Sequence, residues 1–238
     1  MVLVFGDLGT SQNLCSLMES RSEDTTAWNH LQAIVFIMGL FHLKMACADA
    51  IWKIFIDGGK LRKMDPNSLI NHVGEIRPKE TGKIEMKPTF QQMHEVIQHV
   101  GIVMQLDAWR VAAGKHQKKD LASLEDYAKL ELNWEDIVLI SHDLCCNYVA
   151  RKSDDLSRKR KQSTVQHDQQ QENTLLQMQY FLLYEQMSHG LNHGDIGRVE
   201  SLFVPWMSIL RGCRKHKYAA ELKCYLENVH FIYPEGLR

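Results

Sequence analysis

Residues 2–5, Val2-Leu3-Val4-Phe5, form an uninterrupted apolar run that stops at Gly6-Asp7, the mark of a short buried strand closed by a turn. Gly6-Asp7-Leu8-Gly9-Thr10 turns the chain, and Leu14 and Leu17 then recur at helical spacing. After a polar stretch over residues 20–26, residues 31–38 form a second run rich in Ile, Val and Phe that ends at Gly39, and it predicts a second strand. The period changes at His42. Leu43, Ala46, Cys47, Ala50, Ile51, Ile54 and Phe55 recur every three or four positions as far as Gly58-Gly59, predicting a helix over residues 42–56 with glycine at its end. Strand, helix, strand and helix in that order make residues 1–60 an α/β segment.

Residues 61–150 read as helical with punctuation. Asp65-Pro66 places a cap before a first-position proline, and Thr89-Phe90-Gln91-Gln92 has capping-box spacing ahead of Met93, Val96, Ile97 and Val100. Residues 74–82, with Gly74, Pro78 and Gly82, predict a loop. Asn133 caps a further helix whose expected buried stripe runs through Trp134, Ile137, Val138, Ser141, Leu144, Cys145 and Tyr148. Residues 151–172 are basic and then Gln-rich, with little to bury, and predict a solvated linker or loop. Residues 173–238 return to a helical pattern, with turns at His189-Gly190 and His193-Gly194 and a helix starting near Ile196.

The composition narrows the function classes. With 28 Lys and Arg against 29 Asp and Glu, the formal charge is -1, which excludes strong whole-surface attraction to nucleic acid but leaves room for a local patch. The run Arg158-Lys159-Arg160-Lys161 is the candidate patch; the same run also fits a nuclear import signal or a plain charged loop. The longest apolar stretch, residues 33–41, is too short to span a membrane. No leader pattern opens the chain. The six cysteines have neither zinc-type spacing nor disulfide-scaffold density, so the expected setting is soluble and intracellular, nuclear or cytoplasmic. Cys145-Cys146 suits either a soft metal or two thiols on different helix faces. The apolar character of both ends predicts an internal slice of a larger fold, cut at each side.

Chemistry concentrates at three places. Asp7 follows the first strand directly, where open α/β sheets place ligands; its carboxylate suits Mg²⁺, or caps the next helix. His42, thirty-five residues on, begins a helix after the second strand and is expected at the same sheet edge, as a catalytic group or a structural one. Asp49 is expected to be a solvated surface residue. In the third place, residues 189–200, Asp195 is positioned to cap a helix, Glu200 to face the sheet as a partner for Asp7, and Arg198 to contact phosphate or pair with Asp195. His189 and His193, four apart, have metal-chelating spacing on a helix that Gly190 and Gly194 weaken.

The segments containing Gly6-Asp7-Leu8-Gly9-Thr10, Gly39 to His42 and on to Trp52, Gly74 to Gly82, Gly194 to Glu200, Pro205-Trp206 and Gly212 to Ala219 together resemble the family of fungal, mainly mushroom-forming, proteins that carries the domain of unknown function numbered 6589. The resemblance spans nearly the whole chain and implies no reaction. A more distant one is to Mutator-like transposases, whose RNase H-like core has a strand ending in a catalytic Asp, a strand leading into a His, and a later helix with an acidic residue. That likeness implies an α/β fold, a partial or degenerate RNase H-like core with a largely helical insertion. It implies Asp7, His42 and Glu200 as catalytic residues, with Asp7 and Glu200 as Mg²⁺ ligands, and Arg198, Arg158, Lys159, Arg160 and Lys161 as DNA contacts. Asp7 matches the second acidic position of such sites, and the strands supplying the first would lie before it. The Cys expected shortly before the His is absent from Met38-Gly39-Leu40-Phe41, and Phe41 stands where relatives often carry Asp. The expected function is therefore a fragmentary or inactive transposase-derived, nucleic-acid-related domain. The alternatives are a non-catalytic protein-interaction or structural domain and a Mg²⁺-dependent phosphodiester-cleaving or strand-transfer enzyme.

Overall fold

The computed structural model describes residues 2–56, 65–117, 123–129, 133–150, 161 and 168–237. Strand β1 (Val2–Gly6) leads into helix α1 (Leu8–Ser20), and strand β2 (Ile34–Met38) into α2 (Leu40–Phe55). The following helices are α3 (Leu69–Ile76), α4 (Thr81–Met86), α5 (Phe90–Gln117), α6 (Leu124–Ala128) and α7 (Trp134–Tyr148). After them come α8 (Gln169–His193), α9 (Ile196–Ser201), α10 (Phe203–Gly212) and α11 (His216–Glu227), then a π-helical turn (Asn228–Ile232) and a 3-10 turn (Glu235–Leu237).

The protein is mainly helical, and the expected RNase H-like core is not there. Helix accounts for 74% of the described residues, with two short parallel strands. The reason lies in the pattern itself. Apart from β1 and β2, every long apolar pattern among the described residues has the helical period of 3.6, which places side chains on one stripe and cannot supply the alternate-face pattern of further strands. Val2 to Gly6 pair in register with Ile34 to Met38. Parallel sheets are usually covered on both faces, yet Phe5 on β1 is 67% exposed.

Two compact units make up the chain, Met1–Ala50 with Gln186–Arg238, and Ile51–Glu185; α2 and α8 contribute to both. In the first, the core holds Met38, Leu43, Cys47, Val199, Phe203, Trp206, Leu210 and Leu222, with α10 packed on α11 and the Phe203 and Tyr225 rings edge to face at 5.4 Å. In the second, α5 packs against α7, and Ala108, Ala112, Ile140, Leu144 and Met178 form one cluster. Phe55 meets Phe181 edge to face there, with ring centroids 6.2 Å apart. No helix among the described residues is long and apolar enough to cross a membrane.

Local signals held where a side chain satisfies the backbone. Thr89 and Gln92 make a true capping box: Thr89 N–H donates to Gln92 Oε1 at 3.0 Å and Gln92 N–H to Thr89 Oγ1 at 3.3 Å. Asn133 Oδ1 accepts from Asp136 N–H at 2.8 Å. Elsewhere the structure differs. The loop expected over residues 74–82 is shorter, because α3 runs to Ile76 and α4 starts at Thr81. β2 starts at Ile34, since Leu31 has φ 59° and ends a turn. Asp65 caps only a tight turn, through Asn67 N–H at 2.9 Å, and Ser68 precedes α3. The stripe of α7 is also shifted: Ile140 and Leu144 are buried while Trp134 is 72% exposed. Of residues 151–172, Lys161 and residues 168–172 are described, and Glu172 is buried.

Leu210 is fully buried, so Leu210→Ala should destabilise by about 2–5 kcal/mol, and Thr89→Ala, which removes the reciprocal cap, by about 1 kcal/mol. Urea denaturation followed by circular dichroism checks both.

Candidate functional site

The parallel register brings the ends of β1 and β2 side by side. Gly39 N–H donates to Gly6 O at 2.7 Å, continuing the ladder one step past Met38. A Cβ on Gly39 would stand 3.0 Å from that oxygen and 3.2 Å from His42 Cδ2, tight contacts that glycine avoids. Asp7 and His42, each just beyond its strand, consequently share one edge, as their positions in the sequence predicted.

Asp7 is the N-cap of α1. Its Oδ1 accepts from Thr10 N–H at 2.8 Å and from Thr10 Oγ1–H at 2.9 Å. Those Thr10 bonds hold the carboxyl below the usual carboxylate range, with a smaller contribution from His42. Tyr218, on α11, feels the Asp7 charge too, although burial is the larger reason its phenol is pushed up. The first turn of α11 thus stands near the strand ends. Asp49 is tied there as well: its Oδ2 pairs with Lys215 Nζ at 2.5 Å, so it is a structural ion pair and not the solvated group that was expected.

Glu200 does not partner Asp7. Its Oε1 accepts from His230 Nε2 at 2.6 Å, the imidazole coming from the π-helical turn. After burial, Glu200 is the main group raising Tyr225. Tyr218 and Tyr225 are two turns apart on α11, about 10 Å along its axis. Each carboxylate therefore addresses its own end of that helix. The physical reason is the connection: α9 and α10 turn the α9 acid toward the π-helical turn that follows α11, a contact no local pattern encodes.

Arg198 follows the local alternative. Asp195 caps α9 through Arg198 N–H at 3.1 Å, and Arg198 Nε donates to Asp195 Oδ2 at 3.0 Å and Nη1 to Gln186 Oε1 at 3.0 Å. α8 continues to His193 despite Gly190 and stops at Gly194, where φ is 68°. His189 and His193 accordingly stack, with centroids 4.0 Å apart. Cys145 and Cys146 lie on α7, and Cys146 Sγ is 3.5 Å from His142 Nδ1. Arg158, Lys159 and Arg160 lie outside the described residues; Lys161 is exposed.

A two-Mg²⁺ centre needs several convergent carboxylate oxygens. Among the described residues no three His, Cys, Asp or Glu side chains gather as a metal site. Asp7 and Glu200, each bonded to a neighbouring group, do not fit that centre.

A further group of charges stands at the junction of α10 and α11. The turn between α10 and α11 carries Arg211, Arg214, His216 and Lys217, all exposed, and none of these four side chains has a hydrogen-bond or ion-pair partner among the described residues. Arg214 has φ 61°, the left-handed backbone conformation of a tight turn. Five basic residues within residues 211–217 were visible in the sequence; that Lys215 alone of them pairs with a carboxylate among the described residues was not.

The profile described as "Family of unknown function (DUF6589)" matches residues 1–238. The chain belongs to that family. No curated protein matches it, and no solved structure does. For this DUF6589 chain the geometry, and no borrowed activity, has to carry the functional argument.

Removing the Asp7 cap should cost stability in a pH-dependent way. Its folded pKa lies below the unfolded value of about 3.9, so its contribution is present above that pH and is lost as pH falls through the lowered folded pKa. Asp7→Ala should have a lower thermal midpoint than the parent at pH 7, with the gap closing in acid, while Asp7→Asn, which can still accept from Thr10, should lose less. Thermal unfolding at pH 7, 5 and 3 reads this directly.

Proposed function

We propose that this chain is a non-catalytic nucleic-acid-binding domain that holds phosphates through the turn between α10 and α11. The carrying observation is the unpaired cation cluster of Arg211, Arg214 and Lys217, with His216, at the start of α11. Some surface cations on this chain have carboxylate neighbours within one turn, as Arg110 has Asp107 at 2.9 Å and Lys129 has Asp126 at 3.1 Å. At the α10–α11 turn the charges are additive instead, and backbone N–H groups at a helix start reinforce attraction for anions. The same reasoning demotes Arg198, whose guanidinium is already shared between Asp195 and Gln186.

The non-catalytic part of the reading is supported by the engagement of Asp7 with Thr10 and of Glu200 with His230. A transposase-derived origin is kept as a proposal, motivated by the arrival of Asp7 and His42 at one edge.

Binding to a fluorescent 20-base-pair DNA should be detectable by anisotropy at low salt and should fall steeply with added salt. The triple variant Arg211→Gln, Arg214→Asn, Lys217→Gln, with Asn chosen for the left-handed backbone at position 214, should bind more weakly and reduce the slope of log K against log salt by about 3. No nicking is expected with Mg²⁺. Equal binding by the triple variant sinks the nucleic-acid reading, and Mg²⁺-dependent nicking that Asp7→Asn abolishes sinks the non-catalytic one.

A further inference from the structure

Strand β1 has an edge that no described residue occupies. Val2 N–H donates to Ala33 O at 2.7 Å and Gly6 O accepts from Gly39 N–H at 2.7 Å, with Val2 to Gly6 in register against Ile34 to Met38. In a parallel ladder alternate residues of a strand turn their backbone groups toward a given neighbour, so Val2, Val4 and Gly6 address β2. Leu3 and Phe5, between them, direct their N–H and C=O groups the other way. Among the described residues no hydrogen bond from outside the strand pair reaches either backbone. The side chains are open as well: Leu3 is 43% exposed and Phe5 67%.

Natural sheets protect such an edge with Lys, Pro, a bulge or a covering element. The segment Val-Leu-Val-Phe-Gly has no charge and no proline, its register runs without a bulge, and the exposure of Phe5 shows that no layer covers it. Two strands are also fewer than the three that ordinarily make a sheet stable by itself. The order of donors and acceptors on the edge states which strand completes it. Turned antiparallel about a two-fold axis at Val4, a second copy of β1 places its Phe5 opposite Leu3 and its Leu3 opposite Phe5. Both are then hydrogen-bonded pairs that exchange N–H and C=O in each direction, with Val4 facing Val4 in the non-hydrogen-bonded pair between them. All four outward backbone groups of each chain are satisfied. The same register sets an apolar side chain across from Phe5, the most exposed of the strand. Charge permits the pairing too: Asp7 is three residues from the axis, which keeps the two Asp7 carboxylates about 20 Å apart along the ribbon.

We propose that β1 is a self-association edge, through which two copies of this chain pair antiparallel and build one four-stranded sheet in the order β2-β1-β1-β2. The interface is isologous and closes on itself, so it yields a dimer and not a fibre. This reading goes beyond nucleic-acid binding and does not depend on it, since β1 shares no residue with the α10–α11 turn.

The test is sedimentation velocity of the full chain from about 5 to 200 µM, because a small interface binds weakly. The parent should pass from monomer to dimer over that range. Leu3→Pro removes an outward N–H and leaves the β1–β2 ladder intact, as proline is tolerated where a strand's N–H faces outward. It should keep the parent's circular dichroism and weaken the dimer at least about 10-fold, the scale of two hydrogen bonds lost per dimer. Phe5→Lys, which keeps the backbone and puts a charge on the pairing face, should weaken it likewise and carries the test if Leu3→Pro does not fold. Register is read with Val4→Cys in a Cys15→Ser background, which removes the exposed thiol nearest in sequence. Facing Val4 positions lie within disulfide reach, so mild oxidation should join two β1 peptides, as identified by mass spectrometry. A parent that stays monomeric throughout, an undiminished dimer in either folded edge variant, or a dimer whose β1 peptides do not join would each overturn the proposal.

Discussion

The close approach of Gly39 to Gly6 is the constraint on which the first unit depends. A single amide, donating to the Gly6 carbonyl at 2.7 Å, carries the parallel ladder past the last strand residue. A side chain at Gly39 would sit tight against that carbonyl and His42. This contact brings Asp7 and His42, each just beyond its strand, to one edge. The Asp49–Lys215 ion pair, at 2.5 Å, then fixes the start of α11 against α2. What the unit offers to a ligand follows from those two contacts.

Most polar residues that looked chemical in isolation are structural once their neighbours are known. Asp7 satisfies amides at a helix start, Asp195 does the same for α9, and Glu200 holds the π-helical turn through His230. Such bonds are worth more to the fold than the same groups facing water, because an unsatisfied helix end carries its own cost. Among the groups without such partners are the exposed cations Arg211, Arg214 and Lys217. A chain of formal charge -1 nevertheless presents an electropositive turn, since five basic residues fall within residues 211–217.

The legible parts of the fold were those written in consecutive residues. β1, β2 and α2 were visible because a change of apolar period from two-sided runs to three-and-four spacing occurs within a few residues, at Gly39. The Thr89–Gln92 box and the Asn133 and Asp195 caps were visible because a side chain and the amide it serves are three residues apart. The RNase H-like core implied by the transposase resemblance is not built, because the described residues supply two short strands and otherwise helices. Two strands are compatible with many architectures, and the helices that occupy the remainder determine which is built. The buried stripe of α7 failed for a related reason: Trp134 and Ile140 are both apolar and both periodic, and only the partner helix α5 selects which face is covered.

The sequence by itself determined the local chemistry of this protein: where two strands end, which residues cap which helices, that Asp7 and His42 meet at one edge, and that residues 211–217 are rich in positive charge. Tertiary structure alone decided that Glu200 answers to His230 and not to Asp7, and that Asp49 is claimed by Lys215. The division has a physical cause. Backbone hydrogen bonds and caps act across three or four residues and leave a trace in spacing, whereas the pairing of Glu200 with His230 spans 30 residues and that of Asp49 with Lys215 spans far more. Such pairings are set by how helices pack, which no local pattern records.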